Sequence, residues 1–188
     1  MKNICYLALI RGINVGGKNI IKMDELKSIF LNMKFSDVQT YIQSGNVLFN
    51  VNEKNRKILA KKIEETLSDK LNSEIKIVIL TFPEIEEVIN EIPKDFGTDK
   101  ENYKYDVIFI VEPLTPRDLM SKIQVKHDND NIYYGNRTLY VKRFAGKLTG
   151  SYISDILKIS LNITVRNLNT TKKLYELMLE REKNIKIK

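Results

Sequence analysis

Two successive stretches of this chain repeat one order of hydrophobic patterns, and that order leaves few folds open. Ile4 to Ile10 is an apolar run of strand length. In residues 23 to 34, Leu26, Ile29, Phe30 and Met33 recur at i, i+3, i+4 and i+7, which predicts a helix with one buried face. Val38, Thr40 and Ile42 then alternate with polar neighbours, as do Val47, Phe49 and Val51. Ser44-Gly45-Asn46 between them is hairpin chemistry, because Gly and Asn tolerate positive φ. A second helix over 54 to 71, with Ile58, Ile63, Leu67 and Leu71 along one stripe, leads to a β-branched strand from Ile75 to Leu80. The order β-α-β-β-α-β is that of a ferredoxin-like plait.

The second half follows the same order less regularly. Phe82-Pro83 starts a short acidic helix to about Glu91, with Pro83 suited to a first helical turn. Tyr105 to Val111 reads as a strand, and Leu114-Thr115-Pro116 opens another helix. Ile132 to Tyr134 and Thr138 to Val141 flank the turn Gly135-Asn136-Arg137, and a helix over Ser151 to Ile159 precedes a strand at Ile163 to Val165. Thr170 to Arg181 is then a terminal helix, with Asn169 or Thr170 able to cap it. The expectation is an α+β protein of two tandem ferredoxin-like plaits with antiparallel sheets and an extra C-terminal helix, divided into residues 1–81 and 82–188.

Charge is placed unevenly. The net charge is +7, yet residues 1–136 hold 19 Lys/Arg against 20 Asp/Glu, while residues 137–188 hold 12 against 4. A basic end suits an anionic partner such as nucleic acid, or else is a solvated surface ending in a tail from Arg181 to Lys188. No apolar run has the length of a membrane span and no signal-peptide pattern opens the chain, so a cytoplasmic protein without a membrane partner is expected. With one His and one Cys, a Cys/His zinc site is excluded by count, and no metal site is expected. Cys5 lies inside the first apolar run and reads as a small buried hydrophobe, and His127 reads as part of a polar loop.

Gly12 to Lys18 spells G-x-x-x-x-G-K, one residue short of a phosphate-binding loop. That motif needs Ser or Thr after the lysine to hold Mg²⁺, and a helix starting there to aim its N–H groups at phosphate. Here Asn19 follows Lys18, and helical periodicity begins only near Met23 or Asp24, so a nucleotide hydrolase is not the reading. Position matters more. In a plait the first and second strands run toward the same sheet edge, which places loop 11–22 beside the turn 43–46. Arg11, Gly12, Asn14, Gly16, Gly17, Lys18, Asn19, Gln43, Ser44 and Asn46 are therefore candidate ligand-binding residues, or else this is a long ordered loop whose Asn side chains bond its own backbone. Arg166 and Asn167, in the cluster Arg166 to Thr170, are further candidate ligand-binding residues that could clasp an anion or the loop of the first half, or else the cluster only caps the last helix. Tyr133, Tyr134 and Tyr140, interleaved with Arg137, Lys142 and Arg143, resemble a base-stacking platform or else pack one sheet face.

The residues also carry a resemblance. Leu9-Ile10-Arg11-Gly12-Ile13-Asn14-Val15-Gly16-Gly17-Lys18-Asn19 and Thr40-Tyr41-Ile42-Gln43-Ser44-Gly45-Asn46-Val47 resemble a bacterial family of unknown function with an R-G-I-N-V-G-G-K loop and a Y-I-Q-S-G-N-V hairpin. Thr164 to Thr170 is similar to that family's T-x-R-N-W-N-T segment, with Leu168 in place of the aromatic residue. The resemblance implies two ferredoxin-like subdomains and brings no activity, substrate or cofactor.

Three functions follow as expectations. The first is binding of a phosphate- or carboxylate-bearing ligand at the 11–19 and 43–46 edge, with Asp24 and Asp106 as the candidate acids or bases should the protein be an enzyme. The second is an RNA- or DNA-binding module using the basic C-terminal quarter. The third is a structural or partner-binding protein that takes no ligand.

Overall fold

The computed structural model describes residues 3–123, 130–146 and 152–186; His127 and Ser151 lie outside them. The chain forms two compact units, residues 1–85 with 173–188 and residues 86–172. In the first, β1 (Ile4–Ile10), α1 (Met23–Asn32), β2 (Ser36–Tyr41), β3 (Asn46–Val51), α2 (Arg56–Leu71) and β4 (Ile77–Leu80) follow one another. Its sheet is antiparallel in the order β2-β3-β1-β4. After α3 (Phe82–Asn90), the elements β5 (Tyr103–Ile110), α4 (Pro116–Ser121), β6 (Asp130–Tyr134), β7 (Thr138–Phe144), α5 (Tyr152–Ile159) and β8 (Ile163–Asn167) repeat the arrangement in the order β6-β7-β5-β8. α6 (Leu168–Lys186) ends the chain. These are two tandem ferredoxin-like units with a C-terminal helix.

Aromatic packing dominates the first core. Tyr6, Ala8 and Ile10 of β1 and Val47 and Phe49 of β3 lie under Leu26 and Phe30 of α1 and Leu59, Ile63 and Leu67 of α2. Phe49 stacks on Phe35 with ring centroids 4.7 Å apart and meets Phe30 edge-on at 5.4 Å. The buried stripe of α2 differs from the sequence reading. Leu59, not Ile58, shares a face with Ile63 and Leu67, since spacing by four keeps side chains aligned while one residue rotates them by about 100°. Ile58 is 55% exposed. β2 differs as well. Its pairing with β3 slips by one residue between Ser36 and Gln39, a bulge with Asp37 at φ +50°, and the exposed Ile42 falls in the turn.

The last residues group with the first unit although the sequence places them with the second half, because their side chains find partners there. Met178 meets Cys5 at 3.6 Å, Tyr175 stacks on Phe82, and Arg181 donates to the Asp37 carbonyl at 2.8 Å and to Gln39 Oε1 at 3.0 Å. Arg181 is thus no solvated tail residue. Burial pushes the Cys5 thiol up, against the pull of the Arg181 guanidinium. α6 also begins earlier than the periodicity suggests, at Leu168, so its cap is Asn167, whose Oδ1 accepts from Thr170 N at 2.8 Å.

In the second unit Ile108, Ile110, Leu139, Val141 and Ile163 pack against Leu119 of α4 and Ile153 and Ile156 of α5. Of the tyrosines considered as a stacking platform, Tyr140 is fully buried and donates to the Val88 carbonyl at 2.6 Å; burial pushes its phenol up to about 12. Phe96 meets Tyr105, Tyr133 and Tyr140 edge-on. Arg137 pairs with Glu87, and Lys142 lies over the Tyr103 ring. Tyr140 and Arg137 are thus engaged in packing and in the turn, while Tyr133 and Tyr134 stay 39% and 56% exposed.

Glu84 shows how the start of α3 is held. Its carboxylate accepts from Thr81 N at 2.8 Å and Thr81 Oγ1 at 2.9 Å, and it pairs with the Arg56 guanidinium. Burial alone pushes the carboxyl up, but these three donors together outweigh it and hold the acid below its ordinary value of 4.5. A depressed folded pKa stabilises above the ordinary value and loses that contribution as pH falls through the folded one. Glu84→Gln is therefore expected to cost about 1–2 kcal/mol at pH 7. In urea unfolding across a pH series, the gap between wild type and variant should be full well above the ordinary value of 4.5 and narrow steadily as pH falls below it. A gap that does not change with pH contradicts the assignment.

Candidate functional site

β1 and β2 each run antiparallel to β3, so both end at one edge of the first sheet. Loop 11–22 and the turn 42–45 meet there. Ile10 N donates to the Gly45 carbonyl at 2.8 Å, and Asn14 Nδ2 donates to the Gln43 carbonyl at 3.0 Å. The juxtaposition expected from the strand order is present.

Most of the candidate polar side chains build the loops themselves. Asn14 closes a ring with Ile21, accepting from its N–H at 2.9 Å and donating to its carbonyl at 3.0 Å. Asn19 Nδ2 donates to the Gly12 carbonyl at 2.9 Å, while Asn46 Nδ2 donates to the Tyr41 carbonyl at 3.0 Å and to Ser44 Oγ at 2.9 Å. Asn14 and Asn19 have φ of +55° and +49°, values that Asn tolerates better than other side-chain-bearing residues. These four polar residues act as fasteners.

The tip of loop 11–22 is a miniature hairpin. Val15 and Lys18 form a bridge, with Lys18 N donating to the Val15 carbonyl at 3.1 Å. Gly16 and Gly17 occupy the two turn positions at φ +59° and +73°, as a type I′ turn requires. Among the described residues the Gly16 and Gly17 amides have no hydrogen-bond acceptor, and both glycines and Lys18 are exposed. Gly12, also exposed, has φ +74°. Arg11 is half-buried, with its N–H on the Lys76 carbonyl at 2.9 Å, and burial lowers its guanidinium from the ordinary value. Gln43 presents an exposed side chain. The edge offers two cations and two free amides on a preorganised frame. Val15 and Ile20, 64% and 72% exposed, and Ile42 add apolar surface to it.

Asp24 stands exposed in the first turn of α1. The remaining candidates belong to the second unit. Arg166 is buried and donates to Thr164 Oγ1 and the Val165 carbonyl, both at 2.8 Å; desolvation lowers its guanidinium to about 10. Asn167 caps α6. Asp106 pairs with Arg143 at 2.9 Å from Nε and 2.5 Å from Nη2. Burial pushes the Asp106 carboxyl up despite that guanidinium. Among the described residues no group of three or more His, Cys, Asp or Glu side chains gathers as metal ligands, and no described helix is long and apolar enough to cross a membrane.

Sequence reasoning missed Lys100 and Lys104, which line a cleft with Arg143 and Asn169. The register that brings Lys104 opposite Arg143 is the signal, and it becomes readable only once β5 and β7 are paired.

Fold and edge together define a class: two-unit α+β proteins with a glycine-rich loop pinned against a hairpin turn at the end of the first sheet. The chain belongs to the family described as "Protein of unknown function (DUF1697)", whose sequence profile matches residues 4–140. A solved structure with the same fold is that of the conserved bacterial protein SP0830 from Streptococcus pneumoniae. It is 23% identical, with a TM-score of 0.74 over 94% of this chain and 99% of that one. At this identity the likeness speaks for the fold alone. No curated protein matches the chain.

Proposed function

We propose that the protein binds an anionic, phosphate- or carboxylate-bearing ligand at the edge formed by loop 11–19 and turn 43–46. One observation carries this reading. The loop's own Asn side chains hold it rigid while the Gly16 and Gly17 amides remain without acceptors beside the exposed Lys18. Two consecutive exposed amides without acceptors plus cations suit an anion, and a frame fixed beforehand lowers the ordering cost of binding. Arg11 and Lys18 neutralise charge, and Gln43 orients the ligand.

The test is a titration of the full chain with inorganic phosphate and with citrate, followed by calorimetry and by ¹⁵N NMR. Saturable shifts of the Gly16 and Gly17 amides are expected, with Arg11→Ala and Lys18→Ala each weakening binding about tenfold. If both variants bind as the wild type does, the edge is not the site.

A second reading rests on the exposed Val15, Ile20 and Ile42, which suit a protein partner better than a small anion. It gains support if the Gly16 and Gly17 amides ignore both anions.

A further inference from the structure

The second unit contains a cleft of about 270 Å³ lined by Lys100, Tyr103, Lys104, Tyr105, Asp106, Arg143 and the segment Asn167 to Asn169. Its lining cations, Lys100, Lys104 and Arg143, outnumber its one lining carboxylate, Asp106, which feels the charges of both Arg143 and Lys104. Lys104 on β5 lies directly opposite Arg143 on β7, and like charges placed opposite each other across a ladder are destabilising. Asp106, two residues along β5, answers Arg143 at 2.9 Å and 2.5 Å. On the other side of Arg143, Asp130 of β6 accepts from Tyr152 N at 3.0 Å. Lys104 and Lys100 have no carboxylate within ion-pair distance among the described residues, and the exposed side chain of Asn169 has no hydrogen-bond partner among them. The floor is firm: Tyr105 Oη donates to the Asp99 carbonyl at 3.1 Å and accepts from Asp99 N at 3.2 Å, and Asn167 is held by its cap to Thr170.

We propose that this cleft is a binding site for a phosphate monoester, separate from the edge of the first sheet. Lys100 and Lys104 meet the phosphate charge as point cations, a role to which ammonium groups are suited. The Arg143 guanidinium, with Nε and Nη2 already on Asp106, keeps Nη1 for the same oxygens. Asn169 adds an amide donor. The space lies at the lower limit for small-molecule sites, which fits a phosphate with a small body of a few carbons. Asp106 sets the arrangement by fixing Arg143 and is a positioning residue.

The experiment is a ¹⁵N NMR titration of the full chain with glycerol 3-phosphate and, separately, with inorganic phosphate and chloride. Saturable shifts are expected at the amides of Lys100, Lys104, Arg143 and Asn169 with glycerol 3-phosphate, weaker ones with inorganic phosphate, and none that saturate with chloride. Lys100→Ala/Lys104→Ala should lower the affinity by at least about tenfold. Both lysines are exposed, so the fold should be kept, which unchanged amide resonances of the second unit's core, such as Ile110, Leu139 and Ile156, check. Lys158→Ala, an exposed lysine on α5, should bind as the wild type. Arg11→Ala/Lys18→Ala should leave the cleft shifts unchanged, so failure at one site is separable from failure at the other. Shifts that track chloride equally, or survive intact in Lys100→Ala/Lys104→Ala, overturn the proposal.

Discussion

Phe49→Ala is expected to remove about 3–5 kcal/mol of stability, the usual cost of truncating a fully buried aromatic side chain. The ring has no exposed surface and lies on the same sheet face as its register partner Tyr6, with Phe35 stacked on it and Phe30 edge-on. Removing it leaves a cavity between three aromatic neighbours that are themselves anchored on α1, β1 and the chain entering β2. Collapse into that space would require several elements to move together, which places the cost toward the upper end. Against a total stability of about 5–15 kcal/mol, this is a large fraction of what keeps the protein folded. Ile58→Ala supplies the control. At 55% exposure on α2 it should stay within about 0.5 kcal/mol of wild type. Urea unfolding followed by far-ultraviolet circular dichroism reads both, and equal losses in the two variants contradict the packing described.

Gly45→Ala is expected to cost about 2–4 kcal/mol, from two sources that act together. Gly45 has φ +73°, a conformation that charges any L side chain roughly 1–2 kcal/mol. A Cβ there would also lie 2.9 Å from Cγ1 and Cδ1 of Ile13 and 3.0 Å from Cβ of Ile10, a buried overpacking of about 1–3 kcal/mol. Gly12→Ala isolates the first source, because φ is +74° but nothing stands within 4 Å of the added carbon. Thermal unfolding should therefore rank wild type above Gly12→Ala and Gly12→Ala above Gly45→Ala. The Gly45 change should also disturb the loop, since the clash falls on Ile10 and Ile13, on either side of Arg11 and Gly12. Gly16 and Gly17 amide resonances would report it. Equal melting temperatures for the two variants would remove the close approach of loop and turn from the account.

The position of the candidate edge was legible because it depends on strand order alone. Once the chain is a plait, the ends of β1 and β2 fall together. What the edge is made of stayed open between two readings. Asn14, Asn19, Ser44 and Asn46 could be ligand contacts or fasteners of their own loop, and in the structure they fasten the two loops, because a long loop must satisfy its own backbone groups before it can offer anything outward. Local pattern also misplaced Ile58, where two apolar residues adjacent on α2 compete for one face and only the packed core chooses Leu59. Lys104 and Arg143, 39 residues apart in the chain, share a cleft only through the β5–β7 register.

By itself the sequence determined the doubled β-α-β-β-α-β order, the glycine-rich loop and its neighbouring turn, since hydrophobic periodicity and turn chemistry are local properties. The tertiary structure alone decided which polar groups stay engaged and which remain available. That depends on partners many residues away: Cys5 and Asp37 for the last helix, Gln43 for Asn14, and Asp106 for Arg143. Hydrogen bonding and ion pairing are settled by distance in space, and only the folded chain sets those distances.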